Sequence, residues 1–351
     1  MTAMRVALSS DFRKADGTPT FPSFDLSPLM DDPAIEIVWA DAVDGVIPAA
    51  ALEGCDGLIL LAPRFTAASV PASNTLLCVA RFGVGYDNVD IPACTEAGIA
   101  LVITPSGVRR PVAVSVITFM LALTQNLRIK DRIARQGPEG WAQRVNHMGV
   151  GLVGKTLGQL GIGNIGAEVF RMAAPFGMHF IAHDPYANPA VAADLGIELV
   201  SLEDLFRRSD VLSVSVPLTD ETRGIVNAER LALMKPTAYV INTARGPIVD
   251  QRAIYDALVA GQIAGAGLDV FEEEPAPADE PLFELDNVLV APHALCWTDE
   301  CFAGNGAADV AAMKALLRGE VPEGVVNRAV LDTPAFKDRL AALNSRTARG
   351  A

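Results

Sequence analysis

Residues Leu157 to Phe170 read LGQLGIGNIGAEVF, and the reading of the whole chain works outward from them. A short apolar run enters a turn with glycines at 161, 163 and 166, and a helical pattern leaves it. At this spacing Gly161 permits the tight turn, Gly163 lets a pyrophosphate approach the backbone, and Gly166 lets helix pack on strand. Asn164, Ile165 and Gly166 then offer N–H groups at a helix N-terminus, where the dipole favours an anion. The glycine spacing alone suits a purely structural turn equally well. What tips it is the next apolar run, MHFIAHD (178–184), which ends in Asp184 about 20 residues on, where an acid accepts both ribose hydroxyls. A 2′-phosphate there would face a carboxylate, at a cost of up to about 4 kcal/mol at 4 Å and an effective dielectric of 20. NAD, rather than NADP, is the expected cofactor.

The same kind of run recurs along the chain. Before the glycine turn come MRVALSS (4–10), IEIVWA (35–40), GLILLA (57–62), TLLCVA (75–80) and IALVIT (99–104). After it come VLSVSV (211–216), TAYVIN (237–242), AGAGLDV (264–270) and NVLVAP (287–292). Apolar runs alternating with helical stretches, without hairpin turns between them, predict α/β architecture with two Rossmann-like, doubly wound parallel sheets. Residues Phe12 to Pro28, with three prolines and three phenylalanines, predict an irregular loop. Helical periodicity spans Pro111 to Leu127, with Val112, Val116, Phe119, Leu123 and Leu127 on one face. Asp309 to Leu317 reads as another helix, and the last residues, NSRTARGA, as frayed chain.

Bulk properties narrow the function. The 351 residues, half of them apolar, suffice for two domains with sizeable cores. A net charge of -14 argues against nucleic acid and against an anionic membrane surface as partners. The N-terminus lacks the pattern of a secretory signal, and the apolar stretch Val112 to Leu123 falls short of the roughly 20 residues that span a bilayer, so a cytoplasmic protein is expected. Five scattered cysteines (Cys55, Cys78, Cys94, Cys296, Cys301) without a CxxC pair suit reduced thiols. His147, His179 and His183 read as structural or solvated, and their spacing suggests no metal site.

Three further segments, INTARGPIVD (241–250), GAGLDVFEEEP (265–275) and NVLVAPH (287–293), each follow an apolar strand. They place Arg245, Glu274 and His293 where strands leave the sheet, the edge at which doubly wound sheets bind ligands. A guanidinium there can clamp a carboxylate, an imidazole can hold or release a hydroxyl proton, and a glutamate can hold the imidazole in its charged form. Together these suit hydride transfer at a carbon beside a carboxylate.

With GIGNIG (161–166) and FGVGYDNVD (82–90), these segments closely resemble the D-isomer-specific 2-hydroxyacid dehydrogenases over roughly Leu58 to Val326. The resemblance implies an NAD-dependent interconversion of a D-2-hydroxy acid and its 2-keto acid. Arg245 would bind the substrate carboxylate and keto oxygen, His293 would be the acid and base, and Glu274 its partner. Asp269 matches an acid near the nicotinamide amide, while Val216, Pro217 and Thr243 match cofactor-lining positions. The loop Gly83-Val84-Gly85 matches one whose N–H groups, at Val84 and Gly85, hold the substrate carboxylate. The implied architecture is a discontinuous, flavodoxin-like substrate domain (1–103 plus 297–351) and an NAD-binding domain (104–296), with the active site in the cleft between them. A homodimer formed through the cofactor domain is implied by resemblance only.

The chain departs from the pattern after His293, where Ala294-Leu295-Cys296-Trp297 replaces the common small residue and glycine, and at Val108-Arg109-Arg110 and Val114. Substrate choice is therefore expected to come from the Phe12 to Pro28 loop, from Arg109 and Arg110 at the start of a long helix, and from the Leu295 to Trp297 wall. The chain ends soon after VVNRAV (325–330), so no appended regulatory domain is expected. The rival reading is an NAD-sensing or corepressor-like binding module of the same fold, which cofactor binding without turnover would favour.

Overall fold

A computed structural model describes residues 3–348. Each apolar run coincides with one strand to within a few residues, and every pairing between these strands is parallel. The first sheet holds β1 (Met4–Ser9), β2 (Ile35–Ala40), β3 (Gly57–Leu60), β4 (Cys78–Arg81) and β5 (Ala100–Ile103) in the order β2-β1-β3-β4-β5, the flavodoxin-like order. The second holds β6 (Thr156–Leu160), β7 (His179–His183), β8 (Ile197–Leu199), β9 (Val211–Val214), β10 (Tyr239–Asn242), β11 (Gly265–Leu268) and β12 (Val288–Val290), in the order β12-β11-β10-β9-β6-β7-β8. The strand no run announces is β8, a three-residue sheet edge whose Glu198 and Leu199 are exposed.

The chain divides into two compact units: one runs up to Val108 and resumes at Trp297, and the other is Arg109–Cys296. In the first, Leu58, Leu60, Val79 and Leu101 pack with Ile47 and Phe65. In the second, one core around Phe206, Val240 and Ile254 and another around Phe119, Phe170 and Ile241 enclose the sheet. All four residues of β3 and all four of β9 are buried, which is why these strands read as unbroken apolar runs.

Helix boundaries depart from the sequence reading. Proline suits a first helical turn, so the pattern starts at Pro111; the helix in fact spans Pro105–Thr124 and runs through Pro111, forgoing the one backbone bond that residue has no N–H to make. It stops at Thr124 because Asn126 turns into the left-handed region at φ 51°. Leu127, grouped with one face of that helix by the periodicity, instead opens a separate helix, Leu127–Ala134, and is 57% exposed. At 20 residues the Pro105–Thr124 helix is long and apolar enough to cross a membrane by length and composition, but most of it is buried inside the protein, as a core helix is. The second long helix is Asp299–Leu317, ten residues longer at its start than the periodicity shows.

The chain end is also more ordered than expected. Asn344 to Ala348 continue the helix Pro334–Ala348, and Arg346 Nη2 bonds both oxygens of buried Asp56, at 2.7 and 2.6 Å. The remaining residues of NSRTARGA lie outside the described residues. The Phe12 to Pro28 segment is largely irregular as expected, but Phe12 and Phe24 are buried, each 5.1 Å ring to ring from Phe82. Two of the three phenylalanines thus serve the core of the first unit.

Asp309, in the Asp299–Leu317 helix, is completely buried, and neither carboxylate oxygen has a hydrogen-bond partner among the described residues. Burial pushes its pKa well above the ordinary 3.8, against the pull of Arg81. A carboxyl that binds its proton more tightly folded than unfolded destabilises the protein progressively as pH rises above the unfolded value. Asp309→Asn is therefore expected to match the wild type below the unfolded value of 3.8 and to gain on it as the pH rises above that value, by up to about 1.4 kcal/mol per pH unit until the raised folded-state pKa is passed. Denaturation at several pH values checks this, and a gap that does not change with pH would contradict it.

Candidate active site

In the second sheet the chain moves from β6 outward to β7 and β8, then returns to place β9 on the other side of β6. The loops leaving β6 and β9 therefore flank the switch point where doubly wound sheets bind ligands. Gly161, at φ +91°, lies against the loop after β9: a Cβ there would come within 2.7 Å of Val216 Cγ1 and 2.8 Å of Ser215 O. Gly166 packs on the turn itself, where a Cβ would meet Gly161 O at 2.3 Å. Gly163 differs, because a Cβ there would meet nothing within 4 Å. It caps the helix Asn164–Ala173 with no side-chain bond and no acid in the first turn, so the N–H groups of Asn164, Ile165 and Gly166 face an open cradle. That cradle fits a pyrophosphate.

Asp184 sits directly after β7, and its carboxylate braces the glycine turn: Oδ2 accepts from Ile162 N at 2.9 Å and Oδ1 from Tyr186 N at 2.8 Å. Each oxygen keeps a second lone pair for a ribose hydroxyl. Pro217 follows Val216 in the β9 loop, and Thr243 opens the turn after β10.

That turn carries Arg245. Buried Asn242 ends β10 and shapes it, accepting from Ala244 N at 3.0 Å and donating through Nδ2 to Arg245 O at 2.9 Å. Arg245 Nη1 donates to Ala244 O at 2.7 Å. The next residue lies hard against the loop after β11: a Cβ on Gly246 would fall 1.8 Å from Phe271 O. Only glycine permits that approach, which sets the arginine turn beside the chain that leads to Glu274.

Glu274 Oε1 accepts from Phe271 N at 3.0 Å, and Oε2 lies 2.7 Å from His293 Nδ1. Burial works to raise the Glu274 pKa, but the His293 bond, the Phe271 N–H and the nearby charges of His293 and Arg245 outweigh it, so the carboxyl titrates below its ordinary value. An ionised carboxylate can only accept, so Nδ1 carries a proton and Nε2 is the nitrogen left for exchange, with no partner among the described residues.

His293 adopts a left-handed backbone, φ +53°. Asp269 holds it there: the backbone O of Asp269 accepts from His293 N at 2.7 Å, and its Oδ1 accepts from Ala294 N at 3.0 Å and Leu295 N at 3.1 Å. Asp269 is nearly fully buried, and burial pushes its pKa upward. The sequence reading misses this clamp, and it misses Asn242 and Gly246. Their only sequence signal is position, a polar residue at the end of a buried strand or a residue in the loop that follows one.

Arg245, Glu274, His293 and Asp269 thus come together in one unit with the glycine turn. Val84 and Gly85 belong to the other unit, in the loop after β4. There Gly83 N donates to Thr104 Oγ1 at 2.8 Å, while the N–H groups of Val84 and Gly85 have no hydrogen-bond partner among the described residues. Arg109 and Arg110 lie in the second turn of the Pro105–Thr124 helix, not at its start. Both approach the largely buried carboxylate of Glu168, at 3.9 and 3.3 Å, as Arg171 does at 3.4 Å.

Residues 117–294 match the model of the D-isomer specific 2-hydroxyacid dehydrogenase NAD binding domain. The chain belongs to that family. It is 42% identical over 259 residues to a D-3-phosphoglycerate dehydrogenase of Methanocaldococcus jannaschii, covering 74% of this chain and 49% of that protein. It is 40% identical over 282 residues to a glyoxylate reductase of Korarchaeum cryptofilum, covering 80% and 85%. The chain therefore spans about half of the first relative and most of the second. The D-lactate dehydrogenase of Aquifex aeolicus, crystallised with NAD and lactic acid, superposes with a TM-score of 0.75 at 28% identity over 90% of this chain and 96% of that one.

NAD is the cofactor, and the open space at Gly163 yields a test. Gly163 has φ -63° and ψ -161°, which alanine adopts freely, so Gly163→Ala should leave the melting temperature within about 2 °C while weakening NADH binding at least about 10-fold by filling the cradle. Gly166→Ala should instead cost about 1–3 kcal/mol of stability through its contact with Gly161 O. Calorimetric melting and NADH fluorescence titration separate the two, and a Gly163→Ala protein that binds NADH normally would show that the pyrophosphate lies elsewhere.

Proposed function

We propose that the protein is an NAD-dependent dehydrogenase that interconverts a D-2-hydroxy acid and its 2-keto acid. The observation that carries this reading is the 2.7 Å Glu274–His293 bond, which leaves one imidazole nitrogen available beside a turn presenting Arg245. Bound NAD supplies or accepts the hydride at C2. In the reducing direction Arg245 holds the keto oxygen and carboxylate, and His293 gives the hydroxyl its proton through Nε2. In the oxidising direction the same nitrogen removes that proton. Glu274 keeps the imidazole oriented and balances its charge. In the first unit, the amides of Val84 and Gly85 are, by resemblance to the family, groups that receive a substrate carboxylate. The named relatives, a phosphoglycerate dehydrogenase and a glyoxylate reductase, both support a small 2-hydroxy or 2-keto acid as the substrate class.

NADH oxidation with glyoxylate, hydroxypyruvate and phenylpyruvate tests the reading. At least one acid should be reduced, and Arg245→Lys, which keeps the charge but loses the planar fork, should cut kcat/KM for it at least about 10-fold with NADH affinity little changed. NADH binding with no turnover on any acid would turn the reading to an NAD-sensing module.

We further propose a homodimer formed through the second unit. Its segment from Leu127 to Val153 exposes Leu127, Trp141, Val145, Met148 and Val153, a concentration of large apolar side chains that a second copy would cover. Sedimentation at micromolar concentration should return twice the chain mass, and the chain mass alone would refute the proposal.

A further inference from the structure

We propose that Thr104 and Asn305 are positioning residues for the Gly83-Val84-Gly85 loop: they consume the Gly83 amide and fix the loop so that Val84 and Gly85 alone present N–H groups to a substrate carboxylate. The proposal rests on the reading above that this loop receives the carboxylate.

The loop leaves β4, and Thr104 follows the neighbouring strand β5 directly. The two are tied reciprocally: Gly83 N donates to Thr104 Oγ1 at 2.8 Å, and Thr104 N donates to Gly83 O at 2.9 Å. A threonine hydroxyl has one proton to give, and here it accepts from Gly83. Its nearer acceptor is Asn305 Oδ1 at 2.8 Å, with Gly83 O at 3.2 Å. Asn305 in turn points Nδ2 at Cys301 Sγ, 3.5 Å away and one turn earlier in the same helix, which fixes its carboxamide with the oxygen toward Thr104.

The Asn305 end of this chain cannot drift. Gly107, in the Pro105–Thr124 helix, packs so closely on Gly304 and Asn305 that a Cβ there would fall 2.3 Å from both Asn305 N and Oδ1. Thr104 and Asn305 are 1% and 3% exposed, so no water competes for these bonds. The loop that meets solvent is thus anchored, through one hydroxyl and one carboxamide, to the crossing of two long helices.

Anchoring acts on binding. A loop already fixed does not have to be ordered when the carboxylate arrives, and the same carboxylate contacts exist in the ground and transition states. Loss of the anchor should therefore appear in KM for the keto acid, with little change in kcat or in affinity for NADH. A purely structural role would lower stability without that selectivity.

Thr104→Val keeps the shape and removes the hydroxyl. It should raise KM for the best acid of the panel at least about 10-fold, hold kcat within about 3-fold and NADH affinity within about 2-fold, and Thr104→Ser should restore KM. Asn305→Ala, which leaves the hydroxyl but removes its acceptor, should move KM in the same direction. In the wild type with NADH, amide hydrogen exchange should be slow at Gly83 and fast at Val84 and Gly85, and oxamate, an unreactive 2-keto acid mimic, should slow only the latter two. An unmoved KM in Thr104→Val, a KM rise matched by an equal loss of NADH affinity, or equal exchange at the three amides would each overturn the proposal; the exchange pattern decides if the variants do not fold. A wild type that reduces no 2-keto acid would overturn the functional reading itself, whereas turnover with an unmoved KM in Thr104→Val overturns only the anchor.

Discussion

All seven strands of the second sheet run the same way, and that one constraint determines where its chemistry lies. Parallel strands must each be followed by a crossover, so the loops after β6, β9, β10, β11 and β12 all leave at the carboxyl edge. Gly161, Val216, Arg245, Asp269 and His293 follow from that edge alone. Close backbone approach then brings the loops into contact: the turn of Gly246 against Phe271, and that of Gly161 against Ser215. Neither contact leaves room for one added methyl group, so the distances among the functional side chains are set by main chain against main chain.

The buried and half-buried carboxylates show how environment assigns different tasks to one chemical group. Glu274 has an imidazole, an amide and a nearby guanidinium, and these overcome the cost of burial and keep it charged. Asp269 is more deeply buried and is held by two backbone amides, enough to organise a turn but not to offset burial, so its pKa rises. Asp309 has no hydrogen-bond partner among the described residues and is displaced furthest. The acid beside His293 is the one whose surroundings favour its charge.

The sheets were legible because strands buried on both faces must be apolar throughout, as β3 and β9 are, and β8 was not because an exposed edge strand of three residues has no such requirement. Pro111 misled the helix boundary because proline signals a start that the chain places six residues earlier. That Arg245, Glu274 and His293 lie in loops leaving one sheet edge was legible from their positions after apolar strands. The Asp269 clamp was not: an acid one residue past a strand looks the same whether it faces a ligand or folds back onto neighbouring amides. Nor do the paired arginines 109 and 110 betray that they converge on Glu168, since that acid lies in another helix. Contacts between segments distant in sequence were the part the linear pattern could not carry.

The left-handed backbone of His293 carries a consequence for how the ring can move. Rotation about its backbone is blocked by the bonds of His293, Ala294 and Leu295 to Asp269, and rotation of the ring is restrained by Glu274. The entropy of orienting the imidazole is thus spent once, when the chain folds, and does not have to be spent again afterwards. The same bonds make the position narrow in evolutionary terms. A β-branched residue cannot adopt that φ without strain, so a drifting sequence that lost the imidazole would find glycine and asparagine the easiest replacements, neither of which titrates near neutral pH.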